Sequence, residues 1–232
     1  MEQFLTLTGV TFAITTLITA YFFYRAAGSS GIVLGVMAAI LLLQGVLGAS
    51  GFYSDFSTTP PRFTGLLIPG LIVIALLFIL PKGRTFIDSL DLKFLTWLHV
   101  VRIPVELVLF GLYIQGTVPK IMTFEGRNLD ILSGITAIAA GLYVYVYKKG
   151  NRRLLLVWNL LCLGLLLNIV TIAILSLPTG FQQLAFEQPN TGLAAFPYVW
   201  LPCLVVPLVL LAHLAAIRQL LRNSNSAVVM QG

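Results

Sequence analysis

The stretch FLTWLHVVRIPVELVLFGLYIQG, residues 94–116, has the length and apolar content of a membrane-spanning helix, yet it carries His99, Arg102 and Glu106. Thirteen of its residues insert readily into a bilayer: Phe94, Leu95, Leu98, Val100, Val101, Ile103, Val105, Leu107, Val108, Leu109, Phe110, Leu112 and Ile114. Together they favour insertion by roughly 4 to 8 kcal/mol, against about 6 kcal/mol opposing it for Arg102 and Glu106. A charge at the bilayer centre is disfavoured by roughly 2.5 to 3.5 kcal/mol even on lenient scales, so it faces a bundle interior or a polar cavity. Side chains three and four apart share a helix face, which gathers His99, Arg102, Glu106 and Tyr113 into one sector. That sector is expected to face protein or water.

The rest of the chain agrees with a membrane setting. Of 232 residues, 58% are hydrophobic and 9% charged, and the mean hydropathy is +0.96, whereas soluble domains carry about a quarter charged residues. Apolar runs bounded by Gly, Pro and charge predict spans near 5–25, 31–53, 63–81, 94–116, 129–147, 154–177 and 194–220. The predicted fold is therefore all-α: one bundle of seven transmembrane helices over residues 1–222, followed by a short polar tail, 223–232.

The cations orient this bundle. Arg25, Lys82, Arg84, Lys93, Lys148, Lys149, Arg152, Arg153, Arg218 and Arg222 fall on one side, and Arg62, Lys120 and Arg127 on the other. By the positive-inside rule the N-terminus is expected outside and the C-terminal tail in the cytoplasm. The net charge of +6 is thus read as topology and not as affinity for nucleic acid. Met1-Glu2-Gln3 offers no positive n-region, so a cleaved signal peptide is not expected. Small size, cation asymmetry and the lack of eukaryotic sorting signals point to a bacterial inner membrane.

Several local features read as packing. Thr8, Thr11, Thr15 and Thr19 recur on one face of the first span, where hydroxyls bond back to the preceding turn or to a neighbouring helix. Gly31 and Gly35 have the small-xxx-small spacing that permits close helix approach. Pro69, Pro104, Pro202 and Pro207 invite kinks, and Pro104 excludes the usual bond to the carbonyl of Val100. Trp97 and Trp158 near one end, with Phe52, Tyr53, Tyr198 and Trp200 near the other, match interfacial aromatic belts. Cys162 and Cys203 lie in apolar runs, where a thiol behaves as a small hydrophobe.

The chemistry is expected on the fourth span. Arg102 and Glu106, one turn apart, form an expected intramembrane ion pair, and a carboxyl in a low-dielectric site resists ionisation unless a cation counters it. Asn168 in the sixth span and Gln44 in the second are amides expected to converge on this centre. Glu125, Arg127 and Gln188 in the outer loops would form an approach to it, while Asn128 and Asn190 suit helix caps and Asp130 complements a helix dipole. This set predicts a protein that binds or moves a small polar or amphiphilic ligand, or protons, with Glu106 switching charge and Arg102 as counter-ion.

Three other readings stand beside it. An intramembrane enzyme acting on a lipid or quinone would use His99, and alternatively Glu106, as acid or base. A bis-histidine haem b protein would use His99 and His213, which lie at similar depth. In a structural or assembly subunit the ion pair would only fix packing. The last span has no lysine for a retinal Schiff base, and there is no HExxH motif, histidine-rich metal cluster or phosphate-binding glycine loop. No metal site is predicted.

Overall fold

The computed structural model describes residues 7–149 and 151–222, and among these every regular element is helical. The expected tail at 223–232 lies outside the described residues. In chain order the helices are α1 (Leu7–Ala26), α2 (Gly31–Ala49), α3 (Thr64–Ile79), α4 (Pro81–Ser89), α5 (Leu92–Leu98), α6 (Arg102–Ile114), α7 (Ile131–Gly141), α8 (Arg152–Leu175) and α9 (Val206–Arg222). Five helical stretches are long and apolar enough to cross a membrane: 7–26, 31–49, 92–114, 152–175 and 201–222. The pair α3 and α4 adds a sixth if its bent halves count as one span.

Each break in the helices has a local cause. Leu80 precedes Pro81 and is extended (φ −77°, ψ 139°), as a residue before proline is forced to be, and α3 and α4 meet there at 96°. Between α5 and α6 the chain tightens into one 3-10 turn, His99–Val101. Pro104, in the first turn of α6, cannot donate to the carbonyl of Val100, so the 92–114 span changes pitch where its ionisable residues lie. Two wider π turns are also present: Leu142–Val146 extends α7, and Leu201–Val205, containing Pro202, opens α9. The 201–222 stretch is the central one, 72% buried over its apolar window, while 31–49 is peripheral at 17%.

One end of the bundle is tied together by polar contacts. Asp88 at the end of α4 accepts from Arg218 Nε at 2.9 Å and also pairs with Arg222, both on α9. Gln219 Nε2 donates to the carbonyls of Ile87 and Leu90, at 2.8 and 2.9 Å. Arg25 lies over the ring of Phe94 at 4.8 Å, and the amide of Asp91 donates to the carbonyl of Ala26 at 2.9 Å. The ends of α1, α4 and α9 and the start of α5 therefore meet.

Some packing expectations change. Thr15, Thr16 and Thr19 do bond back to the carbonyls of Thr11, Phe12 and Thr15. Gly31 and Gly35, however, have open space where a Cβ would stand; the close approach on α2 is made by Gly48, whose Cβ would meet Val199 at 2.8 Å. Tyr53 and Tyr198 are buried within the protein; Tyr198 Oη lies 3.0 Å from Thr8 Oγ1. The last helix starts at Leu201 and not at 194. Asn190 consequently does not cap it; its side chain donates to the carbonyl of Ala173 at 3.2 Å and fastens its loop to α8.

Candidate functional site

Arg102, Glu106, His99 and His213 are all buried, with exposures of 3% or less, as the sequence requires of charges within an apolar span. Their partners differ from the expected ones. The guanidinium of Arg102 forms a two-pronged contact with Asp130, Nε to Oδ2 at 2.5 Å and Nη2 to Oδ1. Arginine placed four residues before a glutamate is the weaker orientation for a pair on one helix, and long side chains lean toward the helix N-terminus. Arg102 thus reaches back to the residue at the head of α7, where a fork-to-carboxylate geometry is available. The expected Arg102–Glu106 ion pair is replaced by an Arg102–Asp130 pair.

The remaining nitrogen of Arg102 organises α8 and α9. Nη1 lies 3.0 Å from His213 Nε2 and 3.4 Å from the carbonyl of Cys162. A guanidinium only donates, so Nε2 of His213 accepts, and its Nδ1 carries the proton. Nδ1 then donates to Asn159 Oδ1 at 3.0 Å, and Asn159 Nδ2 donates to the carbonyl of Leu155 at 2.9 Å. Asn159 had no special mark in the sequence beyond being an amide in an apolar helix. His99 stacks on His213, with centroids 3.8 Å apart and planes at 15°, and its ring meets Trp158 edge-on at 5.5 Å. Two imidazoles in face contact leave no room for a haem plane and iron between them, so the bis-histidine haem reading does not fit this geometry.

Glu106 belongs to a different set of contacts. Asn128 Nδ2 donates to Glu106 Oε1 at 2.6 Å and to the carbonyl of Met122 at 2.9 Å, while Asn128 Oδ1 accepts from the amide of Asp130 at 3.0 Å. Asn128 therefore links the Glu106 carboxylate to the backbone at Asp130, where it also acts as a turn residue. The other oxygen, Glu106 Oε2, is buried and has no hydrogen-bond partner. Glu106 borders a cavity of about 70 Å³ whose other polar neighbour is Asp130 and whose remaining walls are apolar: Leu67 of α3, Leu109 of α6, Ile169 and Ala173 of α8, and Val206 of α9.

The other expected site residues lie elsewhere. Gln44 accepts from the Tyr53 hydroxyl. Asn168 donates to the carbonyl of Arg127 at 3.0 Å, holding the 123–130 loop on α8. Gln188 donates to the carbonyls of Tyr113 and Val118, at 3.2 and 2.6 Å, and the Tyr113 ring rests against Phe110. Glu125 pairs with Lys120 at 3.5 Å, both exposed. These residues position loops and do not meet Glu106. Among the described residues no group of three or more His, Cys, Asp or Glu is placed to hold a metal ion.

Residues 63–221 match the family described as a domain of unknown function, DUF8737. The chain belongs to DUF8737. Neither a curated protein nor a solved structure matches it. The DUF8737 match runs from the start of α3 to the end of α9 and so takes in Arg102, Asp130, Glu106, Asn128, Asn159 and His213, while α1 and α2 precede it. The buried polar cluster and the Glu106 cavity are thus both contained in the DUF8737 region.

Proposed function

We propose that this is an integral membrane protein of seven spans, N-terminus outside and C-terminus cytoplasmic, that binds an amphiphilic small molecule through Glu106. Seven spans count α3 and the 131–146 helix as crossing; at 16 residues each they are about 24 Å long, a shortfall that a bilayer absorbs by local thinning. The orientation is supported by the basic residues gathered where α1, α4 and α9 end, with Arg25, Arg218 and Arg222 at the same end of the fold.

The observation that carries the ligand reading is Glu106 Oε2, a buried carboxyl oxygen without a partner on a residue that, with Asp130, lines a cavity whose remaining walls are apolar. A buried polar group left unsatisfied costs about 1 to 3 kcal/mol, which a ligand bearing a hydrogen-bond donor would relieve. At about 70 Å³ the cavity admits only a small part of a ligand, so the tail of the same molecule would lie against α3 and α8, which contribute Leu67, Ile169 and Ala173 to its wall. Arg102, saturated by Asp130, His213 and Cys162, serves here as a structural node and not as the ligand's anion contact. The enzyme reading through His99 has less support, because His99 is sealed against His213 and Trp158 and does not border the cavity.

The test is to purify the full chain, Glu106→Leu and Ala173→Phe from the same membranes and identify retained small molecules by mass spectrometry. The expected result is one amphiphile class enriched over bulk lipid in the parent protein, and lost both when the acceptor is removed and when the cavity is filled. Identical retained molecules in all three folded proteins would refute the reading.

A further inference from the structure

A second and larger hollow is lined by none of the residues of the Glu106 cavity. Gly134 and Gly141 draw α7 against α5 and α6: a Cβ at Gly134 would meet Ile103 at 2.7 Å, and one at Gly141 would meet Trp97 at 2.8 Å. Between α7, with its π turn, and α8 lies a groove of about 540 Å³, walled by Thr136, Ala139, Leu142, Tyr143, Leu154 and Trp158. Its volume is within the range of sites that enclose a drug-sized molecule, and its walls are apolar apart from the Trp158 Nε1 to Thr136 Oγ1 hydrogen bond, 3.0 Å long.

Charge says what occupies it. Lys148 and Lys149 lie between α7 and α8, and Arg152 and Arg153 open α8; among the described residues none of the four is paired with a carboxylate. Acidic groups near this end are otherwise engaged: Asp88 holds Arg218 and Arg222, and Asp91 caps α5 by accepting from the amide of Lys93 at 2.8 Å. Val144, Leu155 and Leu220 pack together here with Leu92, which places this connection at the end of the bundle where α5 begins and α9 finishes. Tyr147, 65% exposed, stands between the groove and the cations.

We propose that the groove between α7 and α8 is a binding site for an anionic phospholipid, its acyl chain along Ala139, Leu142 and Leu154 and its phosphate among Lys148, Lys149, Arg152 and Arg153. Clusters of basic residues beside a membrane helix attract acidic headgroups, and the cluster here is contiguous with an apolar groove of suitable size. This site is separate from the Glu106 cavity, so either can fail without the other.

Native mass spectrometry of the detergent-solubilised full chain with phosphatidylglycerol and with phosphatidylcholine tests it. The parent protein should retain phosphatidylglycerol at least about tenfold better, since each cation near an anionic surface contributes a factor of about five. The pair Arg152→Gln with Arg153→Gln, which leaves eight of the ten orienting cations, should lose most of that preference. Ala139→Trp should release the lipid with all cations in place. Equal retention of the two lipids by the parent protein, which needs no variant, would overturn the proposal, as would a preference that survives Ala139→Trp in full.

Discussion

Arg102 clasps Asp130, twenty-eight residues further along the chain, and not Glu106 on the next turn of its own helix. The consequence is a division of labour. Arg102, Asp130, His213 and Asn159 form a set in which donors meet acceptors and which joins α6, the head of α7, α8 and α9. Glu106, tethered through Asn128, is left with an oxygen that the protein does not use.

The first prediction follows from that pairing. Arg102→Met should destabilise the protein by about 3 to 5 kcal/mol, because it leaves the Asp130 carboxylate buried and uncountered. Arg102→Met with Asp130→Leu should recover much of the loss, whereas Arg102→Met with Glu106→Leu should not. Thermal unfolding of the three variants in one detergent checks the order. Equal recovery by the two double variants would mean that Asp130 is not the particular partner of the guanidinium.

Five of the helices were legible from hydropathy because their apolar runs are long enough to read alone, whereas the runs at 63–81 and 129–147 form helices of only 16 residues. The bounds 94–116 and 154–177 became 92–114 and 152–175, shifts of two residues. The importance of Arg102 and Glu106 was legible for the same reason, since two charges in an apolar helix need an explanation. Their partners were not. Asp130 and Asn128 sit at a helix start, where capping already accounts for both residue types, and Asn159 differs from Asn168 only in which face of α8 turns inward. Local pattern assigns a residue to a face; which face meets which is settled by close approaches such as Gly134 on Ile103.

Asn128 offers a second test, because each end of its side chain has a separate task. Asn128→Asp keeps the acceptor for the amide of Asp130 but replaces the donor with a carboxylate oxygen facing Glu106 Oε1, now 2.6 Å from Nδ2. It should lower stability by about 1 to 3 kcal/mol, and Glu106→Gln in the Asn128→Asp background should restore part of it by supplying a donor. A chemical-denaturation series in detergent reads both steps. No rescue by Glu106→Gln would show that Asn128 does not act on Glu106.

Two glycines separate packing from helix propensity. Gly134→Ala would put a Cβ 2.7 Å from Ile103 Cγ1 and 3.0 Å from the Ile103 backbone nitrogen, an overpacking expected to cost about 1 to 3 kcal/mol. Gly164→Ala, in the middle of α8 with nothing within 4 Å of the new Cβ, should instead stabilise by about 0.5 to 1 kcal/mol. Melting temperatures should therefore move in opposite directions. A loss at Gly164 as large as that at Gly134 would mean that another surface covers α8 in the membrane.

The last prediction concerns a single proton. Because the Arg102 guanidinium can only donate to His213 Nε2, His213 should be the Nδ1-protonated tautomer, donating to Asn159 Oδ1. This is the less common form of a free imidazole, and it is imposed from both sides of the ring. The ¹⁵N shifts of histidine-labelled protein, assigned by comparison with His213→Gln, should show a protonated Nδ1 and an unprotonated Nε2. Arg102→Met should release the constraint and let the Nε2-protonated form appear, while Glu106→Leu should leave the His213 signals in place, since Glu106 reaches the cluster only through Asn128. A shift pattern with Nε2 protonated in the parent protein would break the chain from Arg102 to Asn159 at its central link, and with it the assignment of Arg102 as the node that holds α8 and α9 together.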